Sequence, residues 1–467
     1  MRRLGSAIAV ALALTAGLPQ QAFAHAILVS SSPAYGDVLT HAPGEIRLTF
    51  NDSVRPARGN EAVSNATGRS VLAGPARIDA RDPRVLVLPL VKGLGRGDYT
   101  ARWRIVSEDG HTEEGLLAFA VGSGSAPPTA KLPLLGTSLG VTNLVGRALF
   151  VLGVLLALGA AVFAVAVWRP AARRSQLDPA EDAELRKREA RVTSVVLFFS
   201  FLLAQTGGVL AVLHTTGATR YTRMHELGIV FAGVGAAATA SPMLPLRLLT
   251  GIAALALATT LPLSGHALDP GEPRLLSFPA DLVHVWAAAV WLGGLVQLVF
   301  VLRGARSLEP THRRRFVSLV AGGFARIALV CVCLIALTGL GRAVVELRSL
   351  EQLWTLSYGR AILVKTGLFG AVLAFALLNR SRLMGRLDRE RSGATSTAAL
   401  FAEIGLLLAV VGAVAVLTDL RPGRAFASPT RPTAATLYET SRPAGVDGRS
   451  TSPAGLAQPW AVAVGRR

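Results

Sequence analysis

Residues 142–168 read TNLVGRALFVLGVLLALGAAVFAVAVW. This stretch exceeds the roughly 20 residues that an α-helix needs to cross the hydrocarbon core of a bilayer, so it predicts a membrane helix. The composition of the whole chain agrees, because 51% of its 467 residues are hydrophobic, more than is usual for a soluble protein. The sequence therefore predicts a membrane protein.

Similar apolar segments follow this first one along the chain. Together they predict an all-α bundle of about eight membrane helices within a membrane domain at 142–420. The predicted helices are 142–168, 192–213, 226–241, 245–263, 280–302, 316–339, 359–378 and 397–418.

Lysine and arginine residues are distributed unevenly between the loops. The segments on one side of the predicted bundle hold eighteen of them, and the segments on the other side hold six. The positive-inside rule places the basic side in the cytoplasm, so the residues before 142 lie outside. The net charge of +19 then reflects topology, and no nucleic-acid partner is expected. The tail at 421–467 is also predicted to be external, and its Pro, Ser, Thr and Arg content predicts disorder.

Residues 1–24 have the pattern of a secretory signal peptide. Two arginines precede a short apolar run, and the small residues Ala22 and Ala24 flank Phe23. Cleavage after Ala24 would leave His25 as the first residue, while an uncleaved anchor is the alternative. These signals predict a protein of the cytoplasmic (inner) membrane with its amino-terminal domain in the periplasm or extracytoplasmic space.

Residues 25–122 have a different pattern of apolar residues, in short stretches separated by turn residues. Short stretches such as EIRLTFND and GDYTARWRIV combine β-branched and aromatic residues with turn residues at their ends, which favours a small all-β sandwich. The segment 123–141 is rich in Gly, Ser and Pro and is predicted to be a linker. The two cysteines, Cys331 and Cys333, lie together in an apolar run, so no disulfide framework supports the β domain.

The stretch SEDGHTEEG at 107–115 places a carboxylate two residues before an imidazole. In a strand, Asp109 and His111 project on the same face, as coordination of Cu(II) or Zn(II) by nitrogen and oxygen requires. A hydrogen-bonded surface pair is the alternative. If His25 is the first residue, it offers two nitrogens, its α-amine and one ring nitrogen. A ring nitrogen of His111 is the third, and three nitrogens suit the tetragonal preference of Cu(II).

HAILVSSSPAYGDVL, LTFNDSV and SEDGHTEEG resemble the CopC family of periplasmic copper-binding proteins, which are Ig-like β-sandwiches that begin with a ligand histidine. The resemblance implies that His25 and His111 bind Cu(II) through nitrogen and that Asp109 is an axial or neighbouring oxygen donor. Asp52 stands near the acidic position of the family. The chain has only four methionines, so the Met-rich Cu(I) site of some relatives is not expected.

The membrane half contains ionisable residues that are expensive in a bilayer and are therefore functional candidates. Asp281 and His284 are three residues apart and share a helix face, with an interfacial anchor as the alternative reading. Lys365 and Glu403 are intramembrane charges that either pair or, for Lys365, snorkel. Three further histidines fall at predicted external loops. The candidates for a membrane copper path are His266, His284, Asp281, His214 and His225.

DLVHVWAAAVWLGGL and GRAILVKTGLFGAVLAFALLNR resemble the CopD family of copper-resistance and copper-transport membrane proteins. The resemblance covers roughly 142–420, and fused CopC and CopD modules are a known arrangement in that family. It implies that the membrane domain handles copper.

Together these patterns predict a copper-binding membrane protein, not an enzyme, that captures Cu(II) outside and passes copper to the membrane domain for import. No ATP-binding loop of the form GxxxxGK[ST] occurs. The expected partners are copper ions, the lipid bilayer and external copper chaperones. Three alternatives remain: copper sequestration without transport, a haem-binding redox protein using the external histidines, and an oxidative copper centre at the amino terminus.

Overall fold

The computed structural model divides the chain into an amino-terminal β domain and a helical domain. It describes residues 26, 28–57, 61–108, 110, 112–122, 141–213, 215, 218–241, 243–268, 273–347, 349–387, 404–405, 408–412 and 414. The predicted signal peptide, the interior of the linker and the predicted tail lie outside these residues.

The β domain has two sheets, as the sequence predicts. In the described residues its strands are β1 Leu28–Ser32, β2 Val38–Leu39, β3 Glu45–Phe50, β4 Val54–Pro56, β5 Ala62–Asn65, β6 Arg77–Ile78, β7 Val85–Pro89, β8 Gly97–Ser107 and β9 Thr112–Val121. One sheet has the order β1-β3-β7-β6, and the other has the order β2-β9-β8-β4, with β5 also pairing with β8. The all-β sandwich prediction is confirmed.

The core of the sandwich follows from the alternation of the strands. In β3 the residues alternate between partly exposed and buried, so that Ile46, Leu48 and Phe50 all point inward. Phe50 meets Trp103 of β8 edge to face, with ring centroids 5.2 Å apart. Burial of one face from each sheet therefore holds the two layers together.

In the described residues, the helical domain is built from seven helices of 20 residues or more and two short ones. They are α1 Val141–Phe163, α2 Arg169–Arg174, α3 Pro179–Val212, α4 Arg220–Thr239, α5 Leu244–Ser264, α6 Arg274–Gly304, α7 Pro310–Glu346, α8 Gln352–Thr355 and α9 Ser357–Leu387. A π-helical turn at Ala164–Trp168 joins α1 to α2.

Five stretches in the described residues are long and apolar enough to cross a membrane. They are Val141–Arg174, Pro179–Val212, Pro245–Ser264, Arg274–Ser307 and Pro310–Glu346. The membrane-helix prediction is confirmed, whereas the count of eight is not. The predicted helix 359–378 lies within α9. Of the predicted helix 397–418, only 404–405, 408–412 and 414 are described, and Glu403 lies outside the described residues.

The helices also extend beyond the predicted limits. We predict a start at 192 for the second helix, but α3 begins at Pro179, because Asp178 is extended and Pro179 occupies the first helical turn. The following Glu, Lys and Arg residues are good helix formers, so the helix continues past the apolar segment. Hydropathy reports only the apolar part of such a helix.

Small residues let α1 approach two other helices closely. A methyl group added at Gly153 would fall 2.8 Å from Ala204 Cα of α3, and one added at Gly159 would fall 2.6 Å from Gly293 Cα of α6. Close backbone approach of this kind is a common way for membrane helices to associate. Helix α1 therefore packs directly against both α3 and α6.

Candidate metal centre at the junction of the two domains

The strand register brings three separate segments to one end of the sandwich. Leu28 at the start of β1 pairs with Phe50 at the end of β3, and Val54 at the start of β4 pairs with Ser107 at the end of β8. The start of β1, the β3–β4 connection and the end of β8 therefore meet there. Ala26, next to the predicted ligand His25, is fully buried. We call this the metal end of the β domain.

The described neighbours of the predicted ligands show how the β8–β9 turn is formed. Val106 pairs with Thr112 across the turn, and the Gly110 amide donates to the Ser107 carbonyl at 3.0 Å. Gly110 has a φ of +85°, a conformation that favours glycine. His25, Asp109 and His111 themselves lie outside the described residues, so their coordination stays a prediction.

Asp52, the remaining predicted ligand of the β domain, lies in the short connection between β3 and β4. Its Oδ1 atom accepts a hydrogen bond from the Ser53 amide at 2.7 Å. Asp52 therefore lies in the β3–β4 connection, one of the segments of the metal end. Its role as a metal ligand stays a prediction.

The metal end is also the part of the β domain that contacts the helices. The Arg220 amide donates to Oε2 of Glu108 at 2.8 Å, and the Tyr221 amide donates to the Glu108 carbonyl at 2.9 Å. Arg220 and Tyr221 are the first two residues of α4. Glu108, from the turn that contains Asp109 and His111, therefore binds the amino-terminal end of a bundle helix.

Further contacts surround this junction. Arg55 of β4 donates to the Ala218 carbonyl at 3.1 Å, and Arg223 Nη2 lies 3.4 Å from Glu108 Oε2. Gly110 lies against the Tyr221 ring, where an added methyl group would fall 2.7 Å from Cδ1. Because Gly110 has no side chain, the turn can lie against Tyr221 of the bundle.

A buried histidine lies one helical turn below this contact. His225 of α4 is 3% exposed, and its ring lies 4.0 Å from that of Tyr221 and 4.6 Å from that of Phe150. Its Nδ1 atom is 2.9 Å from the Tyr221 carbonyl. A carbonyl only accepts, so Nδ1 carries the hydrogen, and Nε2 of the neutral ring keeps the lone pair that a metal needs.

The same end of α4 is linked to the next predicted site. The Arg220 guanidinium donates to the Gly265 carbonyl at 3.1 Å, and His266 follows in a short 3-10 turn, His266–Leu268. The side chain of His266 and the whole of His214 lie outside the described residues. Among the predicted histidines near this end of the bundle, the structure thus locates the His225 side chain and the His266 backbone.

Asp281 and His284 both face α7, which agrees with the prediction that they share a helix face. Asp281 Oδ1 is 3.0 Å from Arg342 Nε, and Arg342 Nη2 is 2.5 Å from Glu346 Oε1. Lys365 of α9 is close enough to interact electrostatically with Asp281 and His284. A polar cluster therefore lies between α6, α7 and α9.

The hydrogen bonds of this cluster also fix the form of His284. Thr338 Oγ1 donates to the Leu334 carbonyl at 2.6 Å, so it accepts from His284 Nδ1 at 2.9 Å. The neutral His284 ring therefore exposes the lone pair on Nε2, as His225 does. If their rings are neutral, the two described histidines of the predicted path therefore share one tautomer, with the hydrogen on Nδ1 and the lone pair on Nε2.

Three groups with ligand atoms within 4.8 Å of one another lie at the other end of the bundle, namely Asp178, Glu181 and His312. Glu181 Oε2 is 2.5 Å from His312 Nδ1, and Glu181 Oε1 accepts from the Glu309 amide at 2.9 Å. These bonds join the amino-terminal ends of α3 and α7. The three groups therefore lie together because they hold the starts of these two helices to each other.

Sequence reasoning missed Glu108, Arg55, Thr338 and Arg342. Glu108 stands in the quoted SEDGHTEEG stretch, but its partners are distant in sequence. Arg342 is a charge in an apolar segment, which is a signal that could have found it. The pairing with Asp281 requires the three-dimensional structure.

These features define a class: a multi-pass membrane protein that carries a β-sandwich domain, with the end of that domain that contains Glu108 and Gly110 in contact with the helices. The CopC domain family matches residues 28–122, and the family described as copper resistance protein D matches residues 318–417. The chain belongs to the family of copper resistance proteins in which a CopC domain and a CopD domain are joined.

Individual relatives cover both parts of the chain. Copper transport protein CutJ of Bacillus subtilis (strain 168) is 26% identical over 450 residues, 91% of this chain and 78% of the relative. Copper resistance protein D of Pseudomonas syringae pv. tomato is 28% identical over 50% of this chain and 79% of its own length. Protein YobA of Escherichia coli (strain K12) is 31% identical over 24% of this chain and 91% of its own length.

Proposed function

We propose that this protein binds Cu(II) in its external β domain and passes copper to the membrane bundle for import. The single observation that carries the proposal is that the metal end of the β domain is the end that rests on α4. An ion released there is next to Tyr221 and His225 and does not have to diffuse through bulk solvent.

The proposed metal site uses residues from all three segments of the metal end. His25 supplies its α-amine and ring nitrogen after signal-peptide cleavage, His111 supplies a third nitrogen, and Asp109 and Asp52 supply oxygens. Three nitrogens with carboxylate oxygens suit the tetragonal geometry of Cu(II). The α-amine has an ordinary pKa near 8, so it deprotonates readily on binding a metal near neutral pH.

The proposed path continues through the outer half of the bundle. His225 lies directly below the docked turn, the Arg220 guanidinium joins α4 to the turn containing His266, and the cluster with Asp281 and His284 lies between α6 and α7. His214 and His266 remain candidates by sequence. The protein is then a cytoplasmic-membrane transporter without catalysis, with its β domain in the periplasm.

Contacts between the domains support this topology. The β domain touches Ala218, Arg220 and Tyr221, which belong to a loop and helix end that the distribution of basic residues assigns to the outside. The contacts thus agree with an external β domain, because they put it on the same side as this loop.

Copper titration of the purified full-length protein, followed by electron paramagnetic resonance, tests the metal site. We expect a nitrogen-rich Cu(II) spectrum that is lost in His25→Ala and in a variant with extra residues before His25. His41→Ala is the matched control, because His41 is an exposed histidine of the same domain. A spectrum that survives the amino-terminal extension would remove the α-amine from the site.

Sequestration without transport is the second candidate function. It is favoured by the position of the predicted Cu(II) ligands His25, Asp52, Asp109 and His111, which all lie in the β domain. Cells that export only residues 25–122 distinguish the two, because a buffering protein would keep its full effect on copper tolerance without the bundle. The haem alternative predicts a Soret absorption band from the purified protein, which copper transport does not require.

A further inference from the structure

We propose that Glu108 is a positioning residue that latches the metal end of the β domain to the bundle, so that copper leaves the head directly above α4. This inference rests on the proposed function. It adds the residue that sets how the β domain is oriented on the bundle when copper is transferred.

The first argument is the chemistry of a helix end. The first amides of an α-helix have no partner within the helix, and they carry the positive end of its dipole. In α4 the Arg220 and Tyr221 amides donate to the carboxylate and the carbonyl of Glu108, at 2.8 and 2.9 Å. A single residue of the β domain therefore satisfies two amides of a bundle helix.

The second argument is charge. The Glu108 carboxylate also lies 3.4 Å from Arg223 Nη2 and 3.8 Å from Arg55 Nη2. The Glu108 side chain is 15% exposed, so these charges interact with less screening than a surface pair does. Charge-assisted hydrogen bonds are about twice as strong as neutral ones, so the Glu108 carboxylate stabilises the junction more than a neutral acceptor would.

The third argument is position along the chain. Glu108 immediately precedes Asp109 and stands three residues before His111, and Gly110 rests on the Tyr221 ring. The turn that contains two predicted copper ligands is thus the same turn that is fixed to α4. A flexible tether alone would leave the orientation of the head random, whereas this contact selects one orientation.

Distance measurements on the full-length protein in lipid vesicles test the latch without reference to copper. Spin labels are placed at Thr67→Cys on the β domain and Ala240→Cys on the bundle, with Cys331 and Cys333 replaced by serine. We expect one narrow distance distribution in the parent and in Asp98→Asn, which removes an acid at the opposite end of β8. We expect a broad distribution in Glu108→Ala.

Copper uptake then tests the positioning role. We expect Glu108→Ala to keep the Cu(II) resonance spectrum of the β domain. The same variant should lower the initial uptake rate by about tenfold, and the rate of Glu108→Gln should lie between those of the parent and Glu108→Ala. Arg223→Gln should lower uptake alone but add little to Glu108→Gln, because both variants remove the same charge pair. High salt should lower the uptake rate of the parent by a larger factor than that of Glu108→Gln, because salt screens the charge of Glu108.

The outcomes separate the two proposals. An unchanged distance distribution in Glu108→Ala would overturn the latch, and a broadened distribution with unchanged uptake would overturn its role in transfer. Uptake by the parent that is no faster than in vesicles without protein would instead count against the proposed function, while the distances would still report on the latch.

Discussion

Tyr99 shows how a single side chain stabilises the β domain at the residue scale. Its hydroxyl donates to the Gly95 carbonyl at 2.8 Å, its ring stacks on Phe119 with centroids 5.4 Å apart, and burial raises the pKa of the phenol. A tyrosine that bonds back to the backbone a few residues upstream is characteristic of such sandwiches. The contact thus fixes the loop before β8.

We expect Tyr99→Phe to lower the free energy of unfolding of the β domain by about 1 kcal/mol, because the ring stays packed while one hydrogen bond is lost. Denaturant unfolding that monitors the β domain measures the change. Tyr99→Leu should cost more, since it also removes the aromatic stacking. Equal stability of Tyr99→Phe and the parent would contradict the role of the hydroxyl.

Gln297 of α6 is a residue whose burial costs stability. It is fully buried, and neither polar atom of its amide has a hydrogen-bond partner among the described residues. We expect Gln297→Leu to match or exceed the parent in thermal stability, by up to about 1 kcal/mol, because an unpaired buried amide is replaced by an apolar group of similar size. Gln297→Ala should be less stable, since it leaves a cavity. Thermal unfolding in detergent compares the three, and a large loss in Gln297→Leu would show that the amide is paired.

At the scale of elements, an ion pair that spans the sheet from β3 to the end of β6, across β7, makes part of the β domain sensitive to acid. Arg47 of β3 donates to Asp79, just after β6, at 2.5 Å, and Asp79 also accepts from the Arg81 amide at 2.8 Å. The Arg47 guanidinium lowers the pKa of Asp79 below its ordinary value. The charged form of Asp79 is therefore favoured in the folded state.

Because the pKa of Asp79 is lower in the folded chain, this contribution to stability is present above the unfolded pKa, about 3.9, and is lost as the pH falls further. We expect Asp79→Asn to be less stable than the parent at pH 7, with the difference vanishing at lower pH. Hydrogen exchange of β3 as a function of pH measures this. A difference that persists at pH 2 would mean that charge is not the cause.

The helices of the bundle depend on small residues at their contacts. Gly153 of α1 leaves no space for a methyl group beside α3, whereas Gly251 of α5 has nothing within 4 Å of that position. We expect Gly153→Ala to lower the thermal stability of the bundle, because α1 must move away from α3. The control Gly251→Ala should be neutral or stabilising by up to about 1 kcal/mol, since alanine is the better helix former. Similar stability in both variants would argue against the close packing.

The elements also show what the sequence reveals. The alternation in β3 and the apolar run of α1 predict both domains, because burial of one sheet face and the thickness of a bilayer leave regular patterns. The start of α3 is not visible in this way, because residues 179–191 are charged and form a helix outside the apolar segment. Hydropathy measures the surroundings of a helix, and its ends depend on local capping.

At the scale of the whole molecule, the decisive contacts join residues that are distant along the chain. Glu108 and Arg220 are 112 positions apart, and each is an ordinary surface charge when considered alone. His225 is predictable as a candidate because histidine is a common metal ligand, but its place below the metal end depends on the docking of two domains. Sequence patterns therefore predict the copper chemistry, whereas the place that we propose for transfer between the domains depends on contacts of the folded molecule.

The proposed transport requires that copper captured by the β domain enters the cell through the bundle. The most direct measurement is the initial rate of copper accumulation, at limiting copper, in cells with the parent protein, His25→Ala, His41→Ala or no protein. We expect faster accumulation with the parent and with His41→Ala, and a rate near that of cells without the protein for His25→Ala. Equal accumulation in His25→Ala and the parent, or in cells with and without the protein, would contradict the proposed transport.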